Sequence, residues 1–291
     1  MPSSRLQQTI GHTVSVAGIG YWSGQDVQVE FRPAPADAGI TFVRDDLGPA
    51  ARIPASVEHR IDLSRRTSLQ KCAARVDMIE HVMAALGGMQ VDNCEVGVTA
   101  AEMPACDGSA MDFVEALDVV GVVQQREAVR PLVVHENVRA GSGDCWIEAR
   151  PTRRDRLTIE FHLDYRAHRA IGSQSLTIEI TPDSFRREIA RARTFVLEHE
   201  AAQFVAQGKG TRVTPQDILI FGADGPIENS LRYEDECVRH KILDVIGDLA
   251  LATRPIVGHV VAFRSGHHLN AQLVESLLLR EAIEGTRRMS A

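Results

Sequence analysis

The spacing of apolar residues changes along the chain, and each change predicts a different element. Residues 14–24 (VSVAGIGYWSG), 27–39 (VQVEFRPAPADAG) and 40–49 (ITFVRDDLGP) are short runs of β-favouring side chains cut by Gly and Pro, the pattern of hairpin strands. In VDMIEHVMAALGGM, residues 76–89, the period lengthens. Apolar side chains fall at 76, 79, 82, 83 and 86 and the run ends on Gly87 and Gly88, which predicts an amphipathic helix with a glycine stop. A strand (VDNCEVGV), a turn (EMPACDGSA) and a helix (FVEALDVVGVV) follow.

The polar stretch QQREAVRP, residues 124–131, ends in proline and reads as a linker, dividing the chain into residues 1–126 and 127–291. Beyond it the order starts again. Strands are predicted at LVVHENVRA, CWIEARP, RLTIEFHL and SLTIEI, a helix near DSFRREIARA, a long helix over 234–251, a strand at PIVGHVVAF and a terminal helix from about 269. Each half places a histidine, His81 or His240, on a helix that leads through a glycine into a strand. The predicted class is α+β: two similar domains, each a sheet covered by helices, with a site between them.

Composition narrows the function. With 291 residues, 44% of them hydrophobic, the chain is long enough for one large core or two smaller ones. A formal charge of −7 and a pI near 5.9 argue against nucleic acid as a partner. No window approaches the roughly 20 apolar residues of a membrane span, and MPSSRLQQTIGHTV lacks the apolar core of a secretory signal. A cytoplasmic, monomeric protein is expected. The five cysteines form no Cys-x-x-Cys pair and read as reduced structural residues, so histidine and carboxylate must supply the ligands of any metal.

The segment VRHKILDVIGD, residues 238–248, carries His240, Asp244 and Asp248 at intervals of four. On a helix, neighbours four apart lie on one face about 6 Å apart along the axis, so His240 and Asp244 can share an ion. Asp248, about 12 Å from His240 by the same rise, needs another partner. Val238, Ile242, Val245, Ile246 and Leu249 form the core face, leaving the polar stripe to a cleft or to solvent. A His–Asp pair at this spacing is more often an ordinary surface pair than a metal site. Glu80 and His81 in MIEHVMAAL and His267 in RSGHHLN add what a mononuclear zinc hydrolase needs. Two imidazoles and a carboxylate leave a fourth position open, a further carboxylate serves as base, and a histidine protonates the leaving amine.

The segments IEHVMAALGGMQVDN, EMPACDGSA, RARTF, LRYEDECVRHKILDVIGDL and RSGHHLN, in this order and over nearly the whole chain, resemble the UDP-3-O-acyl-N-acetylglucosamine deacetylases of lipid A biosynthesis. The resemblance implies two α+β domains and one Zn2+ per chain, with Fe2+ accepted by the same donors. It makes His81, His240 and Asp244 the metal ligands, Glu80 the general base and His267 the acid, with Asp248 holding His267 oriented and charged. It makes Thr194 the hydroxyl that steadies the oxyanion. Lys241 falls with the catalytic group and, with Phe195 and Arg264, on the side of a nucleotide-sugar substrate.

The same residues have plainer readings: Glu80 as a first-turn charge, Thr194 and Phe195 as packing, Lys241 and Arg264 as solvated cations. For Asp107, Gly108 and Ser109 a turn and helix cap is the better account. His268 reads as a bystander, and His12, His59, His162 and His168 stand in no motif. The chain also departs from the family. GIGYWSG puts Tyr21 and Trp22 where a Leu-His pair is usual, Arg66 replaces a small residue, and DYRAHRAIG replaces an Asn-His-Pro element. The stretch QGKGTRVTPQDILIFGADGP is polar where an apolar passage for a fatty acyl chain is expected. These departures favour, as an alternative, a related amidohydrolase whose N-acylated sugar lacks the long chain.

Overall fold

Apolar alternation in the first half produces one-sided strands: Val27, Val29 and Phe31 are buried between more exposed neighbours, as a sheet covered on one face requires. The computed structural model describes residues 5–289, with side chains to residue 283, so Met1–Ser4 of the N-terminal stretch lie outside the described residues. The first half runs β1 (Leu6–Ile10), β2 (Val14–Ile19), β3 (Asp26–Pro33), β4 (Ile40–Arg44), β5 (Arg52–Pro54), β6 (Arg60–Leu63), β7 (Arg66–Lys71), β8 (Ala74–Asp77), α1 (Glu80–Gly88), β9 (Cys94–Val98), α2 (Met111–Val120) and β10 (Val122–Ala128). The second runs β11 (Leu132–Val133), β12 (Val138–Ser142), β13 (Cys145–Arg150), β14 (Leu157–Tyr165), β15 (Gly172–Glu179), α3 (Pro182–Ser184), β16 (Phe195–Leu197), α4 (Glu198–Ala206), β17 (Leu219–Phe221), α5 (Glu236–Leu249), β18 (Ile256–Phe263) and α6 (His267–Met289).

The two halves share one topology. The first main sheet has the order β2-β3-β9-β4-β5 and the second β12-β13-β18-β14-β15, with β11 added beside β18. In each, two antiparallel hairpins are separated by a late strand that is antiparallel to one hairpin and parallel to the other. A helix, α1 or α5, precedes that strand, and another, α2 or α6, follows it. Each half also carries an insertion at the same step, before that first helix: the small sheet β6-β7-β8 in one, the parallel pair β16-β17 with α4 in the other. No described helix is long and apolar enough to cross a membrane.

Helices α1 and α5 pack against each other, and glycine sets how closely. A Cβ on Gly247 would lie 2.1 Å from the Glu80 carbonyl oxygen, so only glycine lets α5 touch the first turn of α1. On the other side of α1, a Cβ on Gly88 would meet the Phe185 ring at 2.3 Å.

Several expected boundaries move. Val76 and Asp77 belong to β8, whose Asp77 pairs with Ser68, and Met78, at φ 61°, turns the chain so that the helix starts at Glu80. Helix α2 stops at Val120 because Gly121, at φ 69°, redirects the chain, and Val122 and Val123 enter a strand. The expected linker is β10 as far as Ala128: it pairs with β1 and is polar because one strand partner and water are its surroundings. The 126/127 division therefore falls inside β10, and no sheet among the described residues joins strands from both sides of Ala128. Around Phe185–Ile189 the helix is one wide turn rather than a regular element. Helix α6 begins at His267, and α5 is buried on nearly every side, so its polar stripe faces the interior.

Candidate active site

The first turn of α1 and the middle of α5 bring three ligand-type side chains to one point. Single donor atoms of His81, His240 and Asp244 all lie within 4.8 Å of one another. The Nε2 atoms of His240 and His81 are 3.4 and 3.9 Å from Asp244 Oδ1, and the imidazole planes stand at 86°. His240 Nδ1 donates to the Ala192 carbonyl at 3.1 Å, which leaves Nε2 as a lone-pair donor aimed at the cluster. Burial, followed by its histidine neighbour, pushes the His81 pKa down to about 3, and burial lowers that of His240, so both rings are neutral. Burial alone would protonate Asp244, but Lys241 and the histidines outweigh it and hold the carboxyl well below its usual range. Lys241 Nζ donates to Asp244 Oδ2 at 2.7 Å, leaving Oδ1 toward the imidazoles. Two neutral nitrogens and one carboxylate oxygen fit a divalent metal ion.

Beside this cluster stand a buried carboxyl and an imidazole. Glu80 is 3% exposed, and burial raises its pKa to about 7, with His267 opposing. Its Oε2 accepts the Thr67 backbone N–H at 3.0 Å, which fixes the carboxyl and leaves its other oxygen to the site. His267 donates through Nδ1 to Asp248 Oδ2 at 2.8 Å. Burial opposes charge on this ring, but the Asp248 carboxylate prevails and lifts the pKa to about 9. Asp248 also accepts from Thr67 Oγ1 at 2.5 Å and Asn270 Nδ2 at 2.8 Å. The partner that helix geometry denied Asp248 at His240 is therefore His267.

His240, Lys241, Asp244 and His267 open on a cleft of about 1000 Å3, lined also by Thr194, Phe195 and Arg264 among others. Thr194 is seated by two backbone bonds, its N–H to Gly108 O at 2.8 Å and its carbonyl from Leu219 N–H at 3.0 Å. The preceding Arg193 forms a buried pair with Glu236 at 2.8 Å, anchoring the strand to the first turn of α5. Phe195 places its ring edge-on to His240, at 6.4 Å. Arg264, at φ 50°, lies on the exposed lip of the cleft. Ser109 and Asp107 form the expected turn, Ser109 N–H donating to Asp107 Oδ1 at 3.0 Å and Met111 N–H to Ser109 Oγ at 3.2 Å. Asp107 also pairs with Arg232 at 2.6 Å.

Sequence reasoning missed Thr67, Asn270 and the Arg193–Glu236 pair. Asn270 was within reach, because it lies three residues after His267 on the same helix. Thr67 carries no local signal: strand β7 delivers it to an aspartate 181 residues away. His268 meets Asp62 at 3.1 Å and Gln272 at 2.9 Å, both near the surface.

Residues 7–279 match the family of UDP-3-O-acyl N-acetylglycosamine deacetylases. The chain belongs to this family. Three relatives named UDP-3-O-acyl-N-acetylglucosamine deacetylase agree with it. The Anaeromyxobacter dehalogenans protein is 40% identical over 98% of this chain and 91% of its own length. That of Myxococcus xanthus is 38% identical over 95% and 88%, and that of Brucella ovis 37% over 94% and 96%. As a deacetylase of this family the chain is a hydrolase, and His81, His240 and Asp244 form a group that could hold a metal ion.

Proposed function

We propose that this deacetylase removes the N-acetyl group of UDP-3-O-acyl-N-acetylglucosamine, giving acetate and the free amine, as a soluble cytoplasmic monomer supplying lipid A synthesis with its committed intermediate. The observation that carries the reading is the convergence of the three ligand-type side chains with a buried carboxyl, Glu80, and a carboxylate-held imidazole, His267. The two repeats, residues 1–126 and 127–291, act as domains that meet at this point.

We assign the ion as one Zn2+ per chain, with Fe2+ accepted by the same donors. Such an ion makes water acidic near neutral pH and polarises the amide carbonyl. The remaining chemistry belongs to side chains. Glu80, held through Oε2, takes a proton on its other oxygen as water attacks the acetyl carbon. Thr194 Oγ1 donates to the oxygen of the tetrahedral species. As the C–N bond breaks, the electron pair goes to nitrogen and His267 delivers a proton from Nε2, its Nδ1–H remaining on Asp248. Phe195, Lys241 and Arg264 hold the nucleotide-sugar, the two cations facing its diphosphate.

Metal analysis and a deacetylation assay on acylated UDP-N-acetylglucosamine test this. One zinc per chain with acetate release is expected, and a metal-loaded protein that releases none would overturn the reading. Glu80→Ala should keep the metal and lose about 10²–10⁴-fold in rate. His240→Ala should lose the metal itself.

A further inference from the structure

The cleft has two ends of unlike chemistry. At one lie His240, Lys241, Asp244 and His267; at the other Tyr21, Trp22, Phe204 and Ile218 pack in one apolar cluster. Trp22 comes from the turn after β2 and Phe204 from α4, one from each half. Their ring centroids are 4.7 Å apart with planes at 89°. This is edge-to-face contact, and no methylene fits between the rings. The aromatic pair therefore joins the two walls and ends the apolar arm.

The pair is held rather than draped. Glu102, 6% exposed, accepts the backbone N–H of Trp22 at 2.6 Å and of Ser23 at 2.8 Å. The indole N–H donates to Met78 Sδ at 3.2 Å. Cations flank the pair. Arg66 and Lys209 lie 5.9 and 5.6 Å from the Trp22 ring, and Arg65 5.1 Å from that of Phe204. An alkyl chain pushed past the rings would strip these charges of water and of their aromatic faces. Of the polar residues of 208–226, Lys209 lies at this pair, whereas Arg212 bonds Gly24 O and Asp26, and Asp217 accepts from Thr214.

We infer that Trp22 is a specificity-determining residue: with Phe204 it closes an apolar arm of the cleft, so the substrate carries a short 3-O-acyl group. The inference rests on the deacetylase reading, since it names the acyl group of that substrate.

The test is kcat/KM of the metal-loaded enzyme on UDP-N-acetylglucosamine bearing no 3-O-acyl group, or an acetyl, hexanoyl, decanoyl or tetradecanoyl group. The wild type should lose at least about tenfold between hexanoyl and tetradecanoyl, and Trp22→Ala should raise the tetradecanoyl-to-hexanoyl ratio by a similar factor. Phe204→Ala removes the other wall and should move the ratio in the same direction, which guards against a misfolded Trp22 variant. A wild type that handles tetradecanoyl as well as hexanoyl, or a ratio unmoved by both variants, overturns the inference. Absence of turnover on every substrate has a different signature: it overturns the deacetylase reading and takes the inference with it.

Discussion

At the scale of single residues, burial dominates at Glu80, the proposed base, and charge dominates at His267, the proposed acid. His267 has a pKa of about 9 because the Asp248 carboxylate outweighs burial. An acid must be protonated to act, so activity should fall as pH rises through about 9, and a pH–rate profile would show this alkaline limb. Asp248→Asn removes the charge and leaves burial unopposed. Its alkaline limb should move down by more than two pH units, toward or below the ordinary histidine value of about 6.5, with a lower kcat. The same pair contributes to stability: the raised pKa favours folding fully below about 6.5, and the contribution is lost as pH rises through about 9. Helix geometry alone separated Asp248 from the pair at 240 and 244, whereas its pairing with His267 was implied by the family resemblance. Thr67 was not legible, since a strand hydroxyl reaching across the fold leaves no trace in local sequence.

At the scale of elements, what matters is how α1 meets α5. A side chain at position 247 would press on the Glu80 backbone, and backbone does not yield as a flexible side chain does. Gly247→Ala should destabilise the protein by about 1–3 kcal/mol in denaturant unfolding. It should also lower kcat by displacing Glu80 from the ligands, more than it raises KM. The predicted sheets and long helices emerged where apolar periods ran unbroken over one covered face. The insertions escaped notice for physical reasons. Strand β7 buries Thr67, Ser68 and Leu69 in succession, without alternation, and β16 and β17 have only three residues each. The start of α1 was misplaced because Val76 fits the helical period by coincidence, while Met78 breaks the chain with a positive φ.

At the scale of the whole molecule, the proposed ligands come from both halves, His81 from one and His240 and Asp244 from the other. An ion that binds only when the halves are docked stabilises the folded chain by about 2.7 kcal/mol at a hundred times its Kd. Removing the metal with a chelator should therefore lower Tm as well as abolish turnover, and restoring zinc should recover both. A Tm unmoved by metal in either direction would show that the ion does not bridge the halves. The repeated topology has a further consequence. Both insertions enter at the same step of the repeat and both overhang the cleft, with Arg65 on one and Phe204 on the other. The repeats' own helices carry most of the reacting groups, whereas the insertions carry much of the wall that the substrate meets. Because Thr67 on β7 also bonds Glu80 and Asp248, that insertion serves both tasks at once: a change there reshapes the wall and disturbs the reacting groups together, whereas a change on α4 reshapes the wall alone.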